Sequence, residues 1–268
     1  MSAHSLSILG CGNIGSAIAN GLEKSGEFVV SNITLTRRKP KSLDTFKKQG
    51  FNVQYDNAIA VKNSKIIALT VGPSHLMSLL DEISPHLNDK QMIISIVSGI
   101  DINKIQEKIG NKIPIIRAMP NTATKLCESM TCLSSLTKFK KELKIAESLF
   151  NKLGKTLIIE EEQMASATAL GACGVAFFLR AIRAASQGGI EIGFHSDEAF
   201  TIAAQTARGA ATLLLDNFSH PEAEIDKVTT PMGATIAGLN EMEHQGFSSA
   251  MIKGITTSTE KVANLYKK

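Results

Sequence analysis

The chain begins without a Lys/Arg-led apolar segment, and it contains no uninterrupted apolar stretch of the length a bilayer demands. A secreted or membrane-anchored class is set aside on that basis, and a cytoplasmic protein with no membrane partner is expected. Its four cysteines, Cys11, Cys127, Cys132 and Cys173, include no C-x-x-C pair, and its six histidines offer no pair at metal-ligand spacing on a helix. Reduced thiols and no structural metal follow. The formal charge of +4 is small for 268 residues, and the basic residues are scattered except between Arg37 and Lys41, so no nucleic-acid partner is expected. With 43% hydrophobic residues the chain can bury a full core and is long enough for two domains.

What the sequence does contain is concentrated at its start. Ile8-Leu9-Gly10-Cys11-Gly12-Asn13-Ile14-Gly15 sets three glycines at G-x-G-x-x-G spacing after the apolar run Leu6 to Leu9 and before an amphipathic run. In a dinucleotide fingerprint the first glycine allows the tight turn and the second lets the backbone approach a pyrophosphate. The third lets the helix pack closely on the strand. A second strand, read over Val29 to Leu35, ends in Thr36-Arg37-Arg38. An NAD-binding site wants a carboxylate there for the ribose 2′-hydroxyl. Two guanidiniums suit a 2′-phosphate instead, so NADPH is the expected cofactor, with NADH as a weaker donor.

From residue 5 to about 160, β-rich runs alternate with helical patterns. Strands are predicted at Ser5 to Leu9, Phe28 to Leu35, Lys65 to Val71, Met92 to Val97 and Ile113 to Arg117. The fold class implied is α/β: an N-terminal Rossmann-type doubly wound sheet over 1–160, followed by an all-helical domain over 161–268. Ligands bind at the carboxyl ends of the strands of such a sheet. Val71-Gly72-Pro73, Val97-Ser98-Gly99 and Arg117-Ala118-Met119-Pro120-Asn121 are therefore expected to line one cleft. In the second half, Gln163 to Gly193 reads as one long helix or a broken pair, and a further helix runs from Ser196 to about Asn217. Two more are predicted at Thr235 to His244 and Ser248 to Lys267. Small residues dominate these helices, among them Ala165, Ala169, Gly171, Gly174, Ala203, Ala207 and Gly209. Alone, such helices bury little area per residue, so an interlocked homodimer is expected.

The order of motifs resembles pyrroline-5-carboxylate reductases. It comprises the glycine fingerprint, Arg117-Ala118-Met119-Pro120-Asn121-Thr122, Ala203-Ala204-Gln205-Thr206, His220-Pro221 and Val228-Thr229-Thr230-Pro231-Met232-Gly233-Ala234-Thr235-Ile236. The last resembles the family's V-T/S-T/S-P-G-G-T/A-T-I signature loop. The resemblance implies NADPH-dependent reduction of 1-pyrroline-5-carboxylate to L-proline, and a dimer formed through the helical domain and often assembled into a decamer, with active sites built from both subunits. It also implies that Thr235 sets its hydroxyl against the ring nitrogen of the substrate. Substrate contacts then come from Thr230, Met232, Gly233, Ala234 and Thr235, where backbone N–H groups at a helix start can hold a carboxylate. The candidate cofactor contacts are Gly10, Cys11, Gly12, Asn13, Ile14, Gly15, Thr36, Arg37, Arg38, Asn57, Thr70, Val71, Gly72, Pro73, Ser98, Met119, Pro120 and Asn121.

Four positions depart from the family pattern. Thr70-Val71-Gly72-Pro73 stands for A-V-K-P, Gly171 to Phe177 for S-G-S-G-P-A-Y, Ala123 for the last proline of M-P-N-T-P, and Met232 for the first glycine of the signature loop. These changes leave open a reductase of another cyclic imine, such as 1-piperideine-2-carboxylate. A hydroxyacid dehydrogenase of the same plan would use a lysine of its helical domain, and none lies between Lys155 and Lys227. A non-catalytic NADP-binding sensor would not need the Thr235 loop.

Overall fold

The computed structural model describes residues 5–217 and 219–265, without the side chains of residues 40, 41 and 217. It divides into two compact units, one formed by residues 1–173 with 258–268 and the other by Gly174–Thr257.

The first unit is built on an eight-stranded sheet. In chain order its elements are β1 (Leu6–Leu9), α1 (Asn13–Lys24), β2 (Ile33–Thr36), α2 (Asp44–Lys48), β3 (Asn52–Gln54), α3 (Asn57–Lys62), β4 (Ile66–Leu69) and α4 (Pro73–Ile83). There follow β5 (Met92–Ser95), α5 (Ile102–Ile109), β6 (Ile115–Met119), β7 (Ser129–Ser135), α6 (Lys140–Phe150), β8 (Gly154–Ile158) and α7 (Met164–Ala167). The strand order is β3-β2-β1-β4-β5-β6-β7-β8. The first six strands run parallel, β7 turns antiparallel to β6, and β8 is parallel to β7. The order reverses between β1 and β4, the crevice where an open α/β sheet binds its ligand.

The strands are apolar on both faces because helices cover both. Ile8, Ile66, Ile94 and Ile116 point into one core, which includes Leu22, Phe46 and Phe150. Their neighbours Leu9, Ile67, Ile93 and Ile115 point into the other, with Leu76, Leu80 and Ile105. Period-two alternation between two cores explains why these strands read as continuous apolar runs. Each such side chain, fully buried, contributes about 1.5–3 kcal/mol.

Several boundaries differ from the sequence expectation. The stretch before β2 coils into a 3-10 turn at Val30–Asn32, with Asn32 N–H bonded to the Val29 carbonyl at 2.8 Å, so the strand begins only at Ile33. Strands β3, β7 and β8 were not expected. The helical run from Glu161 to Glu191 is continuous, 31 residues long, and apolar enough by length and composition to cross a membrane, contrary to the expectation that no stretch has that length. Its centre, Thr168–Cys173, is a π-helical segment leading into α8 (Gly174–Glu191).

In the second unit, α8 is followed by α9 (Ser196–Asn217), α10 (Pro221–Lys227) and α11 (Ala234–His244), and α12 (Phe247–Asn264) carries the chain out of it. The short α10 was not expected; His220 caps it, accepting from Glu222 N–H at 3.3 Å, and Pro221 opens it. The predicted end of α12, residues 266–267, lies outside the described residues. Close approach of α8 and α9 rests on small side chains. A Cβ on Gly189 would come within 2.9 Å of Ala199 Cβ.

Among the described residues of this unit, only Gly174, Ser186 and Ala199 are buried. Phe178, Leu179, Ile192, Phe200 and Leu215 are each more than half exposed in the single chain. A helical unit that leaves so much apolar surface uncovered is built to meet another surface.

Candidate functional site

A cleft of about 820 Å³ opens at the carboxyl ends of β1, β2 and β4. Gly10, at the end of β1, has φ +91°, and a Cβ there would run into Val71 Cγ1. The N–H groups of Gly10 and Cys11 bond to the Thr36 carbonyl at 3.2 and 2.8 Å, tying the glycine loop to the end of β2. Thr70 does the same from β4, its hydroxyl within 3.0 Å of the Leu9 and Gly10 carbonyls. At Gly15 a Cβ would approach Thr70 Oγ1 to 2.8 Å, so α1 sits against the sheet only because that position is glycine. Gly12 faces open space, with nothing closer to a Cβ than the Gly10 carbonyl at 3.7 Å.

The floor and rim carry the polar groups. Thr36 donates to Asn57 Oδ1 at 2.7 Å, and Asn57 Nδ2 donates to the Glu82 carboxylate at 3.1 and 3.2 Å. Arg37, Arg38 and Lys39 line the cleft at the end of β2, and Arg38 Nη2 lies 3.1 Å from His75 Nε2 on α4. Of the candidate cofactor contacts, Gly10, Gly12, Thr36, Arg37, Arg38, Asn57, Thr70, Val71 and Gly72 line this cleft. Cys11 is fully buried beside it, and burial pushes its thiol above the ordinary range, against the lowering effects of Ser16 and Arg37. Asn13, Ile14 and Gly15 open α1, and Pro73 opens α4. Tyr55, His75, Ser78, Leu79 and Glu82 also line the cleft and were not anticipated.

The strand ends do not share one cleft, as the sequence had suggested. Gly99 and Arg117 line a separate pocket of about 130 Å³ with Asp101, Glu161, Glu162 and residues of α7 and α12. Glu161 reaches across to Arg117 Nη1 at 3.2 Å and accepts the Ile102 N–H at 2.7 Å. Ser98 and Met119 face each other, Oγ to Sδ 3.8 Å apart. Asn121, next to the buried Pro120, accepts from Ala123 N–H at 2.9 Å and donates to the Gly171 carbonyl of the π segment at 3.1 Å. Both ends of that amide are engaged in holding the chain.

In the second unit, Thr230-Pro231-Met232-Gly233 forms a turn closed by Gly233 N–H to the Thr230 carbonyl at 2.9 Å. Proline as its first central residue and φ +57° at Met232 match a type II turn, whose second central position favours glycine. The Met232 side chain is fully exposed. A Cβ on Gly233 would come within 2.5 Å of Thr230 Oγ1, so this position takes no side chain. Gly233 is the N-cap of α11 and makes no side-chain cap bond. No side chain therefore caps the first N–H groups of the helix. Thr235 lies exposed in the first turn, and no hydrogen bond among the described residues holds its hydroxyl.

Residues 161–265 match the family model for pyrroline-5-carboxylate reductase dimerisation, and residues 5–99 match that for NADP oxidoreductase, coenzyme F420-dependent. The chain is 46% identical to pyrroline-5-carboxylate reductase 2 of Dictyostelium discoideum, over 96% of this chain and 91% of that one. It is 30% identical to the Methanosarcina acetivorans pyrroline-5-carboxylate reductase over the whole of both. The chain belongs to the pyrroline-5-carboxylate reductase family. Identity to pyrroline-5-carboxylate reductase 1 of D. discoideum reaches 52% over 97% of this chain, which spans 50% of that longer relative. Among solved structures, the Plasmodium falciparum pyrroline carboxylate reductase with NADP bound superposes with a TM-score of 0.90 at 25% identity, covering 98% of each chain. The Coxiella burnetii enzyme of the family gives 0.89 at 25% identity over 99% of each.

Within this family of oxidoreductases the two units have their counterparts. The first carries the Rossmann-type oxidoreductase fold, and the region that matches the dimerisation model, residues 161–265, takes in the whole second unit and with it the exposed apolar faces of α8 and α9, so the chain forms an oligomer.

Proposed function

We propose that the chain reduces 1-pyrroline-5-carboxylate to L-proline, the last step of proline biosynthesis, in the cytoplasm. NADPH is the preferred donor and NADH the weaker one. The observation that carries this reading is the cleft at the β1/β4 switch point, with glycines at its turn and arginines rather than a carboxylate at the end of β2. Among its lining residues the one carboxylate, Glu82, is turned onto Asn57. Similarity to named reductases along the whole chain supports the substrate.

The residues fit a dinucleotide. Gly12 leaves open the space that a pyrophosphate takes, Asn57 and Thr36 form a fixed polar floor, and Arg37 and Arg38 suit a 2′-phosphate. When bound, the dinucleotide supplies hydride. The chain's own residues do the rest. Backbone N–H groups at Ala234 and Thr235 hold the substrate carboxylate, the Gly233 N–H being taken by the Thr230 carbonyl, and the Thr235 hydroxyl hydrogen-bonds the ring nitrogen. A cyclic imine arrives protonated at nitrogen, so the site needs no strong protein acid. In this reading residues 1–160 serve the cofactor and 161–268 serve dimerisation and substrate, in a homodimer that can assemble further to a decamer.

Met232 favours a second reading, a reductase of another cyclic imine, because it adds a thioether side chain where the family signature has glycine. Product analysis separates the two. Incubation with NADPH and 1-pyrroline-5-carboxylate should yield L-proline, faster than 1-piperideine-2-carboxylate is consumed. Consumption of the piperideine alone would reassign the substrate and keep the chemistry.

A further inference from the structure

Arg38 has a neighbour whose role nothing so far has assigned. Its Nη2 lies 3.1 Å from His75 Nε2. A guanidinium only donates, so in this contact Nε2 accepts and Nδ1 is left to carry the ring proton. His75 stands in the first turn of α4 and lines the cleft with Arg37, Arg38 and Lys39. It lies three residues after Gly72, which stands at the lysine of the A-V-K-P pattern. A Cβ built on Gly72 points at His75 Cδ2, 4.0 Å away, and meets nothing else within that distance.

Resting on the proposed use of NADPH, we propose that His75 is a third recognition group for the 2′-phosphate and takes up a proton when that phosphate binds. A phosphate oxygen replaces Nε2 as the acceptor of the Arg38 N–H. The freed Nε2 lone pair takes a proton from solvent, and the imidazolium then donates Nε2–H to the phosphate. No covalent bond is made or broken beyond this proton. The charged and titratable groups around the ring are Arg37, Arg38 and Lys39 beyond β2, Tyr55 beyond β3, and Glu82 on α4 itself, its carboxylate occupied by Asn57. A dianion among these cations favours the charged form of an imidazole, whereas NADH brings no such charge.

The test is calorimetry of NADPH and NADH binding to the full chain at about pH 7.5, where a free imidazole is mostly neutral, in two buffers of different ionisation enthalpy. The wild type should take up a substantial fraction of a proton with NADPH and none with NADH. His75→Gln keeps an acceptor for Arg38 but cannot charge. It should abolish the uptake and weaken NADPH at least about tenfold, the low end for a charge-assisted hydrogen bond, leaving NADH unchanged. Wild-type binding of NADPH without proton uptake, or a variant that keeps both uptake and affinity, overturns the proposal. No binding of NADPH by the wild type would instead overturn the proposed cofactor, and the role of His75 with it.

Discussion

Arg117, on β6, and Glu161, in the turn before α7, form an ion pair at 3.2 Å with only 7% of the arginine side chain exposed. Burial pulls the guanidinium below the ordinary arginine range, and the Glu161 carboxylate opposes that shift. Glu161 is further tied down by the Ile102 N–H at the start of α5, whereas Arg117 Nε has no partner among the described residues. Removing the carboxylate strands a buried cation. Glu161→Ala should therefore lower unfolding stability by about 3 kcal/mol or more, and Glu161→Gln by less, because the amide oxygen still accepts. Chemical denaturation of both variants measures this; equal losses would show that charge is not what matters at this position.

At the end of β2, Arg37 carries the argument for the 2′-phosphate. Arg37→Ala should raise the KM for NADPH about tenfold or more, the effect of losing a hydrogen bond between charged groups, with NADH changed little. Steady-state kinetics with both donors decides it, and equal effects on the two would remove the phosphate argument.

The strained turn gives a prediction of opposite sign. Met232 holds φ +57°, a conformation glycine adopts without steric penalty and a methionine does not. Met232→Gly should leave the fold intact and stabilise it by up to about 1 kcal/mol, offset in part by glycine's greater freedom when unfolded. Thermal unfolding reads the stability. If Met232 also selects the ring, the variant should shift the ratio of kcat/KM between 1-pyrroline-5-carboxylate and 1-piperideine-2-carboxylate.

Exposed apolar faces on α8 and α9 predict that the protein does not persist as a monomer. Sedimentation equilibrium at about micromolar concentration should find dimers or larger assemblies; a stable monomer there would contradict the pairing assigned to this region.

Much of the fold was legible where local pattern and burial agree. Leu6 to Leu9, Ile66 to Leu69 and Met92 to Ser95 are apolar on both faces because both faces are covered, and the glycine spacing announced the turn at Gly10. Strand β7, Ser-Met-Thr-Cys-Leu-Ser-Ser, escaped because it buries polar side chains such as Thr131 and Ser134. Strand β8 escaped because it is an edge with Leu157 and Ile158 exposed. In the cleft, Thr36, Arg37 and Arg38 could be read from their place after β2. Asn57 was also named from the sequence, but His75 and Glu82, both on α4, reach Arg38 and Asn57 on other elements, and those bonds leave no spacing to recognise. The closing of the β6 end by Glu161 was likewise hidden, since that contact spans 44 residues.

The most direct test of the whole account is the initial rate of NADPH oxidation on adding 1-pyrroline-5-carboxylate, measured for the wild type and Thr235→Ala side by side. The hydroxyl has no hydrogen-bond partner among the described residues, so its loss should leave folding and NADPH affinity unchanged. The account predicts turnover by the wild type and a kcat/KM at least about tenfold lower in the variant, a loss of about 1.4 kcal/mol of transition-state stabilisation. Wild-type protein that binds NADPH but turns over no cyclic imine would contradict the proposed reaction, and equal rates in the two proteins would contradict the role of Thr235.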